Sequence, residues 1–354
     1  MRRLLEVKNL TVGKIISASS KEEKVLKAVK NISFTLEEGE IAGLAGESGC
    51  GKTMTALAIS NLLPQSFQIT EGEIFLENKS LTSMSEKEMC RIRGNKIGFI
   101  FQDSKQALNP LMKVGNQITE MLLLINNEQI QIKEKSLQAA AKYAALELLS
   151  SLGFEEPQKI FDAYPHQLSG GMCQRVMAAI AVICQPKLLL ADEPSSSLDE
   201  ESQERILSLL LEMNQKYKTT VLIISHDISL IKKFCSRFIV MYAGKIVEEG
   251  PSKERFSPLH PYTRALINAI PSKEKRGTEL ENISGKVPSI EDDFKGCPFA
   301  PRCSDAQKIC TEAFPQEKYF NTDEECEIHR KVFCTNVVCT NEVCNFPLAG
   351  EKFL

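Results

Sequence analysis

An apolar run at residues 41–45 leads straight into Gly46-Glu47-Ser48-Gly49-Cys50-Gly51-Lys52-Thr53, a match to G-x-x-x-x-G-K-[ST], and a helix-forming stretch that begins at Lys52 and runs on through Met54 follows. No other segment restricts the fold as strongly, because this spelling needs a strand before it and a helix after it. Glycines let successive backbone N–H groups converge on a phosphate, and the helix N-terminus adds partial positive charge at the same place. Lys52 then reaches the outer phosphate oxygens, and Thr53 Oγ1 is available to Mg²⁺. A glycine-rich turn without a ligand is the bland alternative, and the strand–loop–helix setting leaves it little weight.

The rest of the chain has the rhythm such a loop requires. Residues 4–12, 25–36, 40–45, 72–77 and 96–101 carry the alternating or β-branched composition of strands. The first helix is expected from Lys52 to about Leu63, where Pro64 ends it. Residues 114–152, rich in Leu, Ala, Gln, Glu and Lys, read as a helical insertion that closes at Gly153. Strand and helix then alternate at 187–191, 201–217, 219–224, after Asp227 and at 237–247, which implies parallel strands with crossover helices. Beyond Gly250, four prolines up to Pro271 loosen the composition, residues 272–296 read as a polar linker, and a compact cysteine-bearing segment follows.

Leu188-Leu189-Leu190-Ala191-Asp192-Glu193 is an apolar strand ending in two acids. Alone it would be an ordinary strand end. Downstream of a phosphate loop, Asp192 is placed to hold Mg²⁺ through water, and Glu193 to polarise an attacking water as general base.

Composition removes several classes of partner. Lys plus Arg (43) nearly balance Asp plus Glu (46), so the chain lacks the basic excess that a phosphate backbone demands, and nucleic acid is not an expected partner. No apolar run approaches the roughly 18 residues that span a bilayer, and no apolar h-region follows Arg2-Arg3, so a cytoplasmic location is expected. Seven of the 12 cysteines fall after residue 296, a distribution that in a reducing compartment suggests a metal rather than disulfides.

Leu168-Ser169-Gly170-Gly171-Met172-Cys173-Gln174 chooses among phosphate-loop proteins, because it resembles the signature segment of the ABC ATPases and precedes Asp192-Glu193 by a short distance. The resemblance implies an α/β fold: a P-loop NTPase core of ABC type, an antiparallel β subdomain, a helical signature subdomain at about 113–184, and a small Cys-rich C-terminal appendage. It implies that Ser169, Gly170 and Gly171 cap the γ-phosphate bound to an opposing subunit. It makes Gln102 the glutamine that contacts Mg²⁺ or the lytic water, Asp199 part of the loop after the acids, and His226 the switch histidine at the γ-phosphate. One feature departs from the family, which usually stacks adenine on an aromatic in the first strand region: the first aromatic here is Phe34, and residues 12–15 offer only aliphatics and Lys14.

Tyr164-Pro165-His166-Gln167 before the signature, and His260-Pro261-Tyr262-Thr263-Arg264-Ala265-Leu266 beyond the core, are similar to the oligopeptide/dipeptide/nickel importer branch. That likeness implies an ATPase subunit, residues 1–255, bound at the cytoplasmic face of the membrane. It is expected to work with a second, paralogous ATPase chain, two permeases and, indirectly, an extracytoplasmic binding protein, importing peptides or nickel chelates. A soluble ABC ATPase of the repair or translation type is the alternative. Residues 256–330 are expected to form the importer-type C-terminal region and 331–354 a cysteine-containing tail. By the same resemblance Cys297, Cys303, Cys310 and Cys326 would hold a [4Fe–4S] cluster, with zinc as the alternative; three of these cysteines fall close together among Pro and Gly turns.

Overall fold

The computed structural model describes residues 2–17, 23–129, 134–195, 199–252, 258–269, 283–321 and 329–334. Its first half runs β1 (Arg3–Ser17), β2 (Glu23–Glu37), β3 (Ile41–Ala45), α1 (Lys52–Ile59), β4 (Gln68–Leu76), β5 (Lys79–Ser80), α2 (Glu86–Ile92), β6 (Ile97–Ile100) and α3 (Ser104–Ala107). Four helices follow, α4 (Val114–Gln129), α5 (Glu134–Ser151), α6 (Pro157–Asp162) and α7 (Gly170–Val182). Strands and helices then alternate through β7 (Leu188–Asp192), α8 (Glu200–Tyr217), β8 (Thr220–Ser225), α9 (Ile228–Phe234), β9 (Arg237–Tyr242) and β10 (Lys245–Pro251). The remaining elements are α10 (Pro261–Asn268), α11 (Lys308–Glu312), β11 (Lys318–Asn321) and β12 (His329–Val332).

The chain divides into two compact units. The first comprises Met1–Glu6, Thr35–Ile41 and Phe75–Ile224. Its frame is three parallel strands, with β7 between β6 and β8 in the registers Ile100↔Ala191 and Asp192↔Ile224. Every residue of β7 and β8 is buried, which matches their unbroken apolar spelling and the covering of a parallel sheet on both faces. The helical insertion is an α4–α7 cluster: Ala141, Ala145 and Leu149 recur at i, i+4 on the buried side of α5, and α4 packs on α5, α6 and α7. Gly115 is required there, since a Cβ would lie 2.3 Å from the Phe161 ring. Ser85 and Glu88 close a capping box at the start of α2, a signal present in Ser85-Glu86-Lys87-Glu88 but outside the strand-centred expectation for that stretch.

The second unit comprises Val7–Phe34, Ala42–Ile74 and Ser225–Leu354. Most of β1, β2 and β4 belongs to it, paired in the order β2-β1-β4, with Ile32 and Phe34 of β2 buried at period two. Its larger sheet pairs β3 in parallel with β9, and then β9, β10, β12 and β11 in antiparallel succession. The fully buried β9 residues Phe238–Tyr242 centre its core, where the rings of Tyr242, Tyr262 and Phe299 meet with centroids 4.6 to 5.3 Å apart.

Three expectations change. The first helix stops at Ile59 rather than near Leu63, because the Ser60 hydroxyl bonds back to the Ala56 carbonyl and Asn61 turns left-handed at φ 52°. The separate Cys-rich appendage is not what forms: β12 pairs with β10 (Glu248↔Val332), so this stretch extends the main sheet and buries Arg330 and Val332. The boundary expected at residue 330 consequently falls inside a strand.

Candidate nucleotide site

In the second unit, β3 delivers the loop Gly46–Thr53 to the N-terminus of α1. Gly51 is the N-cap at φ 105°, a left-handed position, and no side chain caps the helix, so its first amides face the loop. Gly46 sits at φ 149° with the Met241 carbonyl 2.3 Å from where a Cβ would be, leaving no room for any side chain. Ser48, Gly49 and Thr53 are exposed, Met54 is half-buried and Cys50 is buried, which pushes its thiol pKa up. Lys52 is 7% exposed, and its ammonium donates to the carbonyls of Gly46 at 2.7 Å and Glu47 at 3.0 Å. Those contacts aim the cation across the mouth of the loop, where a phosphate would meet it together with the α1 amides. Glu47 is turned elsewhere: its N–H donates to Tyr262 Oη and its carboxylate is paired with Arg302. His226, next after β8, is exposed. The neighbouring Asp227 caps α9 by accepting from Ser229 N at 2.8 Å.

In the first unit, Asp192 ends β7 at 2% exposure and Glu193 follows at 8%. Glu193 has φ 48° and donates its N–H to Ile224 O at 2.9 Å, so the turn out of the strand is left-handed and tied to β8. Gln174, one turn into α7, holds the same turn from the other side: its Nε2 donates to Glu193 O at 3.3 Å and Pro194 O at 2.9 Å. The helix of the signature segment is thus bolted to the acids, and this tie was not part of the sequence reading. Ser169 caps α7 by accepting from Met172 N, with Ser169 and Gly170 exposed and Gly171 half-buried. That leaves a 13-residue helix presenting its N-terminus to solvent. Gln102 is exposed just past β6. Asp199 caps α8, and the Ser202 amide and hydroxyl hold its carboxylate below its ordinary pKa. Ser196, Ser197 and Leu198 lie outside the described residues.

The position expected to face a base is aliphatic and basic: Val12 is buried in the core, whereas Lys14, Ile15 and Ile16 are exposed. Among the cysteines, Cys326, Cys339 and Cys344 lie outside the described residues. Cys297 donates its N–H to Cys310 O at 2.7 Å, and burial, with a smaller part from Cys334 of the expected tail, raises the Cys297 and Cys303 thiols. Burial chiefly, with these neighbours, pushes Cys297 up to about 11. Among the described residues no three His, Cys, Asp or Glu side chains are arranged to hold a metal, which leaves the expected cluster without support.

Residues 29–196 match the ABC transporter family, and residues 247–310 match the oligopeptide/dipeptide transporter C-terminal region. The oligopeptide transport ATP-binding protein AppD of Bacillus subtilis is 42% identical over 312 residues, covering 88% of this chain and 91% of that protein. The chain belongs to the oligopeptide/dipeptide branch of ABC transporter ATP-binding subunits. The dipeptide transport ATP-binding protein DppD of Haemophilus influenzae is 39% identical over 94% of each chain. The ATP-binding cassette MJ0796, in a dimeric post-hydrolysis state with ADP and Pi, superposes with a TM-score of 0.61 at 29% identity, covering 71% of this chain and all of that one. This ABC ATPase therefore has the cassette fold, α/β with an antiparallel sheet, and ATP and Mg²⁺ are its expected ligands. No described helix is long and apolar enough to cross a membrane.

Proposed function

We propose that this ABC ATPase hydrolyses MgATP as one half of a two-cassette sandwich and thereby drives peptide import through a pair of permeases, bound peripherally at the cytoplasmic face of the membrane. One observation carries the reading: the likeness to peptide-transport subunits continues beyond the cassette into residues 247–310. A soluble repair or translation ATPase would have no use for that segment. Import of nickel chelates is the narrower alternative on the same scaffold.

The residues take the following roles. The amides of residues 48–53 and the Lys52 ammonium bind the β- and γ-phosphates, with Gly46, Gly49 and Gly51 shaping the turn and Met54 continuing it into the helix. Thr53, Asp192 and Gln102 offer hydroxyl, carboxylate and amide oxygens, a hard-donor set suited to Mg²⁺, which supplies charge neutralisation on the phosphates when bound. Glu193 takes the proton of the attacking water, and His226 and Gln102 orient around the γ-phosphate. Ser169, Gly170 and Gly171 cap the γ-phosphate of the opposing subunit, and Asp199 supports the loop that faces that subunit. Residues 1–255 act as the ATPase domain and the remainder as the importer-type region, with the binding protein choosing the substrate upstream.

Co-purification tests this reading. A tagged chain should bring down two permeases and a second ATPase subunit, and the complex should hydrolyse ATP faster with a peptide-loaded binding protein. Recovery with ribosomes or nucleic acid, and no permease, would overturn it.

A further inference from the structure

The phosphate loop is gripped from its outer side by the segment that follows the cassette. Arg302, in the stretch between Cys297 and Cys303, forms a two-pronged ion pair with Glu47: Nη1 to Oε2 at 2.7 Å and Nη2 to Oε1 at 3.0 Å. Its other three donors are also used, Nη1 to Tyr242 Oη at 3.1 Å, Nη2 to Ile283 O at 3.2 Å and Nε to Ser284 O at 2.9 Å. All five guanidinium N–H groups therefore have acceptors, and the side chain is only 4% exposed. Tyr262 completes the grip, its hydroxyl accepting from Glu47 N at 2.8 Å. The Tyr262 ring is fully buried against Tyr242 and Phe299.

The chemistry of these contacts is specific. Glu47 occupies the first x of G-x-x-x-x-G-K-T, next to Gly46 and five residues before Lys52. A bidentate carboxylate–guanidinium pair fixes both distance and plane, and Tyr262 fixes the adjoining peptide, so the loop's entry is held by side chain and backbone together. Lys52 leans on the Gly46 and Glu47 carbonyls, so the direction of its ammonium depends on the same peptide units. Resting on the reading of residues 46–53 as a nucleotide loop, we infer that Arg302 and Tyr262 are positioning residues for it. Through them the C-terminal region sets the affinity of the ATPase for nucleotide.

The test is MgADP binding to the full-length chain at equilibrium, with turnover of the assembled complex beside it. R302Q and E47Q should each weaken MgADP on the order of tenfold, the factor that 1.4 kcal/mol gives. The E47Q/R302Q double variant should lose no more than either alone, because both cut the same pair. KM for ATP should rise while kcat at saturation stays near wild type, a split that general destabilisation would not produce. Folded R302Q that binds MgADP as tightly as wild type, or losses that multiply in the double variant, would overturn the inference. Should R302Q fail to fold, Y262F decides: it keeps the ring, removes only the acceptor of Glu47 N, and should weaken MgADP several-fold, whereas unchanged affinity rejects the idea. The two readings separate cleanly. If wild type binds MgADP and K52A does not, the loop is established whatever Arg302 does, and if wild type fails to bind, the loop reading falls and this one with it.

Discussion

Replacing Gln174 by Leu would probe the joint between the signature helix and the acids while nearly conserving buried volume. The side chain is 4% exposed and spends its amide on the carbonyls of Glu193 and Pro194. Withdrawing a donor from a buried carbonyl costs about 1–3 kcal/mol, and the 3.3 Å bond to Glu193 is at the weak end of the range, so the expected loss of stability is about 2 kcal/mol. The consequence for rate follows from the backbone. Glu193 holds a left-handed conformation at φ 48°, which disfavours a residue with a Cβ by about 1–2 kcal/mol. Part of what holds it there is the Gln174 amide. With that tie gone the turn relaxes, and about 1.4 kcal/mol of misplacement lowers kcat about tenfold. MgATP affinity should not change, since Gln174 spends its amide on the carbonyls of Glu193 and Pro194. Denaturant titration of the full-length chain gives the first quantity, and steady-state turnover of the assembled complex gives the second. A Q174L protein with wild-type kcat would refute the positioning argument, as would one whose only defect is weaker nucleotide binding.

Two further outcomes follow from particular side chains. Lys187 and Lys96 donate to Glu77 and hold its carboxyl down at about 2 from an ordinary 4.5, so the stability it contributes is complete above about pH 5 and is lost as pH falls through 2. E77Q should therefore differ most from wild type near neutrality and progressively less toward pH 3, measured by thermal unfolding; a constant difference would contradict the pairing. With Val12 buried and only Lys14, Ile15 and Ile16 exposed where an aromatic would stack, the roughly 1–3 kcal/mol of base stacking is largely absent. Competition binding should show ATP and GTP within about tenfold of each other, and a large ATP preference would mean that another residue supplies the face.

Much of this was legible because the motifs are local. The phosphate loop, the apolar strand ending at Asp192 and the serine–glycine start of α7 each need only a few consecutive residues, and the strand–helix rhythm around them comes from unbroken runs such as Leu188–Ala191. What the sequence hid is long-range. Tyr262 stands inside the importer-type segment His260–Leu266 and Arg302 just before Cys303, yet nothing in their spelling indicates that both reach Glu47, more than 200 residues earlier. Strands β11 and β12 are four residues each, too short to carry a period; β12 is placed by pairing to β10 and β11 by pairing to β12. Cys334 falls in the expected tail, yet the chain leaving β12 brings it back beside Cys297 and Cys303. Gln174 closes the signature segment, and only the fold turns its amide onto the carbonyls after the acids.

Turnover of the permease-bound complex carrying E193Q decides whether Glu193 is the base for ATP hydrolysis. A lost general base should lower kcat by about 10²–10⁴-fold while MgATP binding stays at the wild-type level. Wild-type turnover by E193Q in the same complex would contradict the assignment.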